Sequence, residues 1–325
     1  MSDQIKFLFY IIGLLLVSFI LSSLLNKLII YIQNKRKVYQ PLREELLDIH
    51  KGKTSTPTLG GIGIYLSSII SILIFNFNYF FDYKFFVLFL FSTGFFLIGL
   101  VDDLTKVIKK DHHGEKGSIR IILELSMSFL LLYTLGYSFN DFQYINFFDI
   151  HIFLGIISIF FLSFVIVGTS NAMNLVDGLD GLCSTLFILM LLPFAIYAFK
   201  NNHYEIGSYM ISVFGSILGF IIYNIHPSKL FMGDSGSLYL GSFIAIISVI
   251  FHLEYILLIS GIVLIIETLS VIIQVISFKL FKRRVFLMSP IHHHFELMGI
   301  SEDKIVLIFI IVGYIASFIS MLIII

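Results

Sequence analysis

The chain has 325 residues, of which 58% are hydrophobic and only 13% are charged. A soluble domain carries about 45–50% apolar and about 25% charged residues, so a soluble enzyme, a disordered chain and a disulfide scaffold are excluded. The net charge is zero, so we expect no nucleic-acid partner, and the single cysteine, Cys183, has no intrachain partner.

Apolar stretches long enough to cross a hydrocarbon layer of about 30 Å recur along the whole chain. We therefore predict an all-α polytopic membrane protein, a single domain over residues 1–325, with ten transmembrane helices. The first stretch is too long for the apolar region of a signal peptide and lacks a small-residue cleavage site, so it is predicted to be retained. The predicted bounds are about 5–32, 59–76, 85–101, 119–136, 152–169, 181–199, 207–224, 238–252, 255–278 and 304–325.

Basic residues are concentrated on one side of this arrangement. The odd-numbered loops, with the adjoining helix ends, hold 18 of the 21 Lys and Arg residues, and the other side keeps only Lys6, Lys84 and Lys200. Cytoplasmic loops are enriched in Lys and Arg, so we predict that the odd loops are cytoplasmic and that both termini lie outside. The same loops carry nearly all the polar motifs, which favours an enzyme at the cytoplasmic face over a transporter with polar groups at mid-membrane.

The segment 50–61 opens the second predicted helix. Thr56 or Thr58 is placed to cap this helix, and Lys51 and Lys53 are placed to contact a phosphate or an anionic headgroup. Alternatively, the lysines of this segment are only positively charged membrane anchors.

An acidic pair follows the third predicted helix. Asp102 and Asp103 are adjacent, and Lys106 lies on the same helical face three to four residues later. Neighbouring carboxylates at a membrane boundary repel each other and lose hydration, which favours a bound cation or a base role. The alternative is a solvated helix end with an internal ion pair.

A polar segment rich in Asn, Asp and Gly follows the fifth predicted helix. Its oxygen-bearing side chains recur every three residues and so share one face of a helical turn: Asn171, Asn174, Asp177 and Asp180. Carboxylate and carboxamide oxygens are ligands that Mg²⁺ prefers, and residues 168–181 contain no Lys or Arg to neutralise the acids. The alternative is a simple polar turn.

Two further motifs lie in later odd loops. The segment 223–237 contains Asn224, Phe231 and Asp234. Asp234 lies between Gly233 and Ser235, the residue that starts the next helix. This arrangement is typical of a metal–phosphate site, and the alternative is that Asp234 or Ser235 only caps the helix. The segment 289–296 holds three successive histidines, which fan outward too widely to bind one zinc ion but suit phosphate or substrate contacts. They are His292, His293 and His294.

One acid lies inside a predicted span. Glu267 falls in the ninth predicted helix, and intramembrane acids are functional by default because burying a charge in lipid is expensive. The sequence offers no partner for it.

Taken together and in this order, the motifs resemble the phospho-N-acetylmuramoyl-pentapeptide-transferase family of the polyprenyl-phosphate N-acetylhexosamine-1-phosphate transferase superfamily. The resemblance extends from about His50 to Lys304. The histidine segment, with its uninterrupted histidines followed by FEL, favours the muramoyl-pentapeptide branch over sibling transferases. The matching stretches are KTSTPTLGGIGI, VDDLTK, GTSNAMNLVDGLDGL, FMGDSGSLYLG and SPIHHHFELMGISE.

The resemblance implies that phospho-N-acetylmuramoyl-pentapeptide passes from a UDP-linked donor to undecaprenyl phosphate in the bacterial inner membrane, giving lipid I and UMP with Mg²⁺ as cofactor. It implies that Asp234 and Asp177 bind Mg²⁺ and that Asp102 activates the acceptor, with Asp103 and Lys106 beside it. It also suggests a homodimer. The residues for which it implies substrate contacts are Lys53, Thr58, Asn171, Asn174, Asp180, Asn224, Phe231, His292, His293 and His294.

Several alternatives stay open at this point. Two mechanisms are compatible with these residues: the acceptor phosphate attacks the donor directly, or an aspartate first forms a covalent phospho-sugar intermediate. We favour direct attack, because the acceptor phosphate is already an anion and needs little activation. A transferase for another UDP-N-acetylhexosamine and, more remotely, a divalent-cation transporter are the competing functions.

The sequence departs from the family pattern at the start of the fourth helix. In the stretch GEKGSIRIILEL, Arg120 stands where the family has a lysine and Glu124 where it has a glutamine. Arginine keeps the positive charge but not the compact ammonium group. Lys116 is the alternative source of that group, which leaves the role of this loop open.

Overall fold

Ten long apolar helices dominate the computed structural model, which describes residues 3–37, 39, 55–109, 117–136, 143–147 and 150–325. Each is long and apolar enough to cross a membrane, which confirms an all-α polytopic membrane protein. They are α1 (Asp3–Arg36), α2 (Gly60–Asn76), α3 (Tyr83–Lys109), α4 (Gly117–Leu135), α5 (Ile157–Val176), α6 (Leu182–Lys200), α7 (Tyr204–Asn224), α8 (Gly233–Ile250), α10 (Ile262–Phe281) and α12 (Glu302–Ile324).

The shorter elements connect these spans. A 3₁₀ turn (Phe77–Phe81) follows α2, and the strands β1 (Tyr144–Phe147) and β2 (Ile150–Phe153) form an antiparallel hairpin before α5. Two short helices lie on either side of α10 in the chain, α9 (Glu254–Ser260) and α11 (Ile291–Leu297).

Helix α8 is the centre of the bundle. All 18 of its residues are buried, and α2, α3, α5 and α6 pack around it. Glycines allow this close approach: a Cβ at Gly99 of α3 would lie 2.3 Å from the Asp234 carbonyl oxygen, and one at Gly61 of α2 would lie 2.2 Å from the Gly236 nitrogen. The small residues therefore hold the N-terminus of α8 against its neighbours.

The peripheral helices have the opposite character. Helices α1, α4, α10 and α12 leave many large apolar side chains exposed, among them Leu16, Ile122, Ile276 and Ile315. In a water-soluble protein this surface would cause aggregation, whereas in a bilayer the lipid tails cover it.

Three predicted spans have a wrong boundary at the end that carries a polar motif. Helix α3 continues past 101 to Lys109, α5 continues past 169 to Val176, and α8 begins at Gly233 rather than 238. Hydropathy ends a span where polar residues appear, but here those residues pair with one another inside the protein, so the helices continue. Most of the predicted loop motifs are therefore helix ends.

Two other boundaries also differ from prediction. The fifth helix was predicted from 152, but residues 150–153 form β2 and α5 begins at Ile157, because hydropathy alone does not separate a short apolar strand from a helix. The ninth span was predicted as continuous over 255–278, but the chain breaks at Gly261, which separates the seven-residue α9 from α10.

Candidate active site

Three charged residues from two helices meet where α3 approaches the start of α8. The Lys106 ammonium lies 2.7 Å from a carboxylate oxygen of Asp102, one helical turn earlier, and 2.9 Å from one of Asp234. Both carboxylates are nearly buried. Lys106 therefore links two acids that are 132 positions apart, and its charge offsets part of their repulsion.

Arg120 of α4 adds a second cation to the same cluster. One guanidinium nitrogen donates to Asp234 at 2.8 Å and the other to the Asn171 side-chain oxygen at 3.0 Å, while Nε lies 3.5 Å from Glu124. The Asn171 amide nitrogen in turn donates to Glu124, which closes a ring of three side chains. The sequence left the role of Arg120 open, and the structure places it in contact with Asp234.

Asp103 has a different environment from its neighbour Asp102. Its two carboxylate oxygens accept hydrogen bonds from the backbone amides of Asp234 and Ser235, each at 2.9 Å. These are among the first amides of α8, which have no acceptor within the helix. A Cβ at Gly233 would lie 2.6 Å from an Asp103 oxygen, so only glycine fits there. Asp103 thus fixes the helix end that carries Asp234.

The polar segment at the end of α5 approaches the same carboxylates. The Asn174 amide lies 3.4 Å from Asp234 and its oxygen accepts a hydrogen bond from Ser237 at 3.0 Å. Asp177 follows α5 directly. Loss of hydration, together with the nearby Asp234 and Asp103, raises the pKa of Asp177 well above its usual value, although a Gly233 backbone hydrogen bond opposes the shift. Acids predicted from separate motifs therefore act on one another electrostatically.

Asn224 joins the loop 177–181 to the end of α7. Its side-chain oxygen accepts from the Gly181 amide at 3.2 Å and from Ser184 at 3.1 Å, and its nitrogen donates to the Leu230 carbonyl at 3.1 Å. All of the polar atoms of this side chain are therefore engaged with protein groups, and the geometry indicates that Asn224 shapes the site.

Asp180 belongs to a second cluster beside the first. One of its oxygens accepts from the Ser228 amide and lies 3.0 Å from Nδ1 of His226, while its own amide donates to Glu302 at 2.8 Å. His226 also lies 3.4 Å from Glu302. Sequence reasoning did not single out His226 or Glu302, although both lie within or beside the motif segments.

The three histidines of α11 have different surroundings. His292 is fully buried, with Nδ1 3.1 Å from Glu267. His293 is nearly buried and lies 2.6 Å from Glu296. His294 is half-buried and accepts a hydrogen bond from the Leu287 amide at 3.2 Å. The three imidazoles have different partners, but they do not all fan outward as the sequence indicated, because the ring centroids of His292 and His293 are 4.2 Å apart. Glu267 lies beside His292, a neighbour that the sequence did not provide.

The remaining predicted contacts lie at the start of α2. The backbone of Thr58 exchanges two hydrogen bonds with the Gln33 amide of α1, at 2.6 and 2.9 Å. The Phe231 amide donates to the Pro57 carbonyl at 2.8 Å, and its ring is half-buried. Gln33 was not anticipated, because a glutamine at the end of an apolar helix has no distinctive pattern. Lys51, Lys53 and Lys116 lie outside the described residues.

The main cluster has the composition of a divalent-cation site. Among the described residues it combines the four carboxylates of Asp102, Asp103, Asp177 and Asp234 with only two cationic side chains, those of Lys106 and Arg120. Mg²⁺ prefers oxygen ligands and keeps waters and phosphate oxygens in its shell. An excess of acid that is partly removed from water therefore fits such an ion.

We predict that the ring of Arg120, Asn171 and Glu124 stabilises the fold cooperatively. R120M leaves the buried Glu124 without its cation, and breaking a buried pair costs up to about 3–5 kcal/mol, less here because Arg120 is 22% exposed. R120M/E124Q is expected to recover part of the loss in thermal midpoint, measured in detergent, because the contacts of Arg120 with Asp234 and Asn171 stay broken. If the losses of R120M and E124Q simply add in the double variant, the two residues are not coupled.

Comparison with known proteins identifies the relatives of this chain. Residues 85–252 match the family described as glycosyl transferase family 4. The phospho-N-acetylmuramoyl-pentapeptide-transferase of Geobacillus sp. (strain WCH70) is 40% identical over 301 residues, which are 92% of this chain and 93% of the relative. The same enzyme of Staphylococcus carnosus is 40% identical over 317 residues, 95% and 97% of the two chains.

A third relative agrees with these two. The enzyme of the same name from Bacillus subtilis (strain 168) is 39% identical over 298 residues, 91% of this chain and 92% of the relative. The matches favour neither a sibling transferase nor a cation transporter, and with the ten apolar helices they indicate a multi-pass protein of the bacterial cytoplasmic membrane. At this identity over nearly the whole length, the chain belongs to the phospho-N-acetylmuramoyl-pentapeptide-transferase family.

Proposed function

We propose that this protein transfers phospho-N-acetylmuramoyl-pentapeptide from a UDP-linked donor to undecaprenyl phosphate, with lipid I and UMP as products. Family membership supports the reaction. One observation assigns the reaction to particular residues: side chains from three helices converge in one buried cluster, namely Asp102, Lys106, Arg120 and Asp234. By the distribution of basic residues, this cluster lies at the cytoplasmic face and both termini lie outside.

The excess of carboxylates over cationic side chains in the cluster suits Mg²⁺ as the cofactor. We assign Asp234 and Asp177 as the residues that would hold it. When bound, the ion neutralises the charge of the pyrophosphate and of the leaving group. Asp103 contributes indirectly, because its hydrogen bonds to the first amides of α8 fix the backbone from which Asp234 projects.

The cationic side chains complete the charge balance. A pyrophosphate donor and a phosphate acceptor bring several negative charges together, and phosphoryl transfer depends mainly on positioning and neutralising them. Lys106 and Arg120 already contact Asp234, so they lie where these phosphates would approach the metal ligand. Asn171 and Asn174 keep Arg120 and Asp234 in place.

An apolar cavity beside the cluster supports a lipid acceptor. Its volume is about 380 Å³, and it lies between α5, α9 and α10 with an almost wholly apolar lining. It is lined by Thr169 and Ala172, which flank Asn171 of the cluster, and extends to Tyr255 and Ile272. We propose that part of the polyprenyl chain occupies this cavity and leads towards the segment of α5 that carries Asn171.

In the proposed reaction an oxygen of the acceptor phosphate attacks the sugar-linked phosphorus of the donor. The new P–O bond forms as the bond to the bridging oxygen breaks, and that oxygen leaves with UMP. In this proposal the acceptor phosphate binds at Lys106, and Asp102, which contacts Lys106, would remove any proton that the phosphate carries. No covalent enzyme intermediate is required, because the acceptor is already an anion.

The test is direct assay of the purified protein. UDP-N-acetylmuramoyl-pentapeptide, undecaprenyl phosphate and Mg²⁺ are expected to yield UMP, and chelation by EDTA is expected to abolish UMP release until Mg²⁺ is restored. UDP-N-acetylglucosamine serves as the matched control donor. UMP from the control donor but not from the muramoyl donor would assign the chain to a sibling transferase. The oligomeric state, proposed to be a homodimer, is measured by light scattering of the same sample.

A further inference from the structure

Two ionisable side chains meet in the interior on the far side of the loop 177–181, next to Asp177 of the acidic cluster. Glu267 of α10 and His292 of α11 both have no exposed surface, and Oε2 of Glu267 lies 3.1 Å from Nδ1 of His292. A carboxylate in the apolar interior is expensive unless it is paired, so this contact accounts for the presence of Glu267 in a membrane helix.

The opposite edge of the same imidazole faces the loop that carries Asp177. A Cβ placed on Gly178 would lie 2.4 Å from Nε2 of His292, so the ring packs directly against the Gly178 backbone. Nε2 is buried and has no hydrogen-bond partner among the described residues, and the 3.1 Å approach of Nδ1 to Oε2 of Glu267 is an ion-pair contact without hydrogen-bond geometry. The imidazole therefore lies between Glu267 and the loop 177–181.

The orientation of such a ring depends on the group at Nδ1. A carboxylate that accepts the Nδ1 proton selects the tautomer and the ring orientation, and so determines what Nε2 presents. The other neighbour is His293, whose ring centroid lies 4.2 Å from that of His292 and whose own Nδ1 is engaged by Glu296. Glu267 is thus the acidic side chain that contacts His292 in the described part of the chain.

We propose that Glu267 is a positioning residue that acts through His292. It holds the imidazole against Gly178 and thereby sets where the loop 177–181, with Asp177 and Asp180, presents its side chains to the donor. His292 is fully buried, so its influence on the donor passes through this loop. The inference rests on the proposed function, since it assigns the loop to the donor side of that reaction.

The experiment compares two replacements of similar length. E267Q keeps a side-chain oxygen that can lie against Nδ1, whereas E267M fills the same space without a polar atom. We expect E267M to raise KM for UDP-N-acetylmuramoyl-pentapeptide or to lower kcat, for a combined loss in kcat/KM on the order of 10–100-fold, and E267Q to retain most of the wild-type value. KM for undecaprenyl phosphate is expected to remain unchanged in both.

Matched controls separate positioning from general damage to the helix. S270A removes a buried hydroxyl one turn along α10, which bonds only to the helix carbonyl of Glu267, and is expected to leave the kinetics unchanged. In a H292M background, E267M is expected to cause no further loss, because Glu267 has no imidazole left to orient. In the double variant H292M/E267M both side chains are apolar, so neither leaves the other as an unpaired buried polar group. The comparison of H292M with this double variant can therefore be made even if E267M alone does not fold.

The outcomes distinguish the two claims. Wild-type protein that releases no UMP would refute the proposed function and the inference with it. Active wild type with equal kcat/KM in E267Q and E267M would overturn the inference alone. A further loss when E267M is added to H292M would do the same, because Glu267 would then act by another route.

Discussion

D234N is expected to lower the rate of UMP release by roughly 10²–10³-fold, the range found when a principal electrostatic group is removed from an active site. Asn keeps the size of the side chain but removes the charge that faces Lys106 and Arg120 and that would hold Mg²⁺. The rate is measured at saturating donor and acceptor, alongside the thermal midpoint.

The control for D234N is D303N, which changes an exposed aspartate at the start of α12 and is expected to leave turnover unaffected. D234N is expected to remain folded, because Lys106 keeps its contact with Asp102 and Arg120 keeps Asn171 and Glu124. Turnover of D234N within tenfold of wild type would remove Asp234 from the site.

D103A is expected to combine a loss of turnover with a loss of stability of about 2–6 kcal/mol. The substitution leaves the buried amides of Asp234 and Ser235 without acceptors, and each unsatisfied group costs about 1–3 kcal/mol. The start of α8 then loses its anchor, and Asp234 with it. Thermal unfolding in detergent and UMP release measure the two effects.

D102N is the matched variant for D103A. Asp102 forms an ion pair with Lys106, whereas Asp103 accepts hydrogen bonds from the first amides of α8, so we expect D102N to lose turnover with a smaller loss of thermal midpoint than D103A. D103N keeps one oxygen acceptor and is expected to fall between the wild type and D103A in stability. A wild-type midpoint in D103A would show that the hydrogen bonds from Asp234 and Ser235 do not stabilise the fold.

The number of helices and the residue types of the site could be predicted from the sequence. In a bilayer each span must satisfy its own backbone hydrogen bonds and present apolar side chains, so every helix carries a local signal in its own stretch of sequence. The positions of the helix ends could not be predicted from hydropathy. Polar residues that pair inside the protein, such as Asp102 and Asn174, extend a helix beyond its apolar stretch.

The tertiary structure decided how these residues divide their roles. Asp102 and Asp103 are neighbours in the sequence, but successive residues of a helix point about 100° apart. One therefore pairs with Lys106 and the other binds the amides of α8. Glu267 and His292 depend in the same way on how α10 and α11 pack. The sequence alone determined a ten-helix membrane protein with an acidic motif set, because hydropathy is a local property. Only the packed structure decided which acid meets which cation, because partners such as Lys106 and Asp234 lie 128 residues apart.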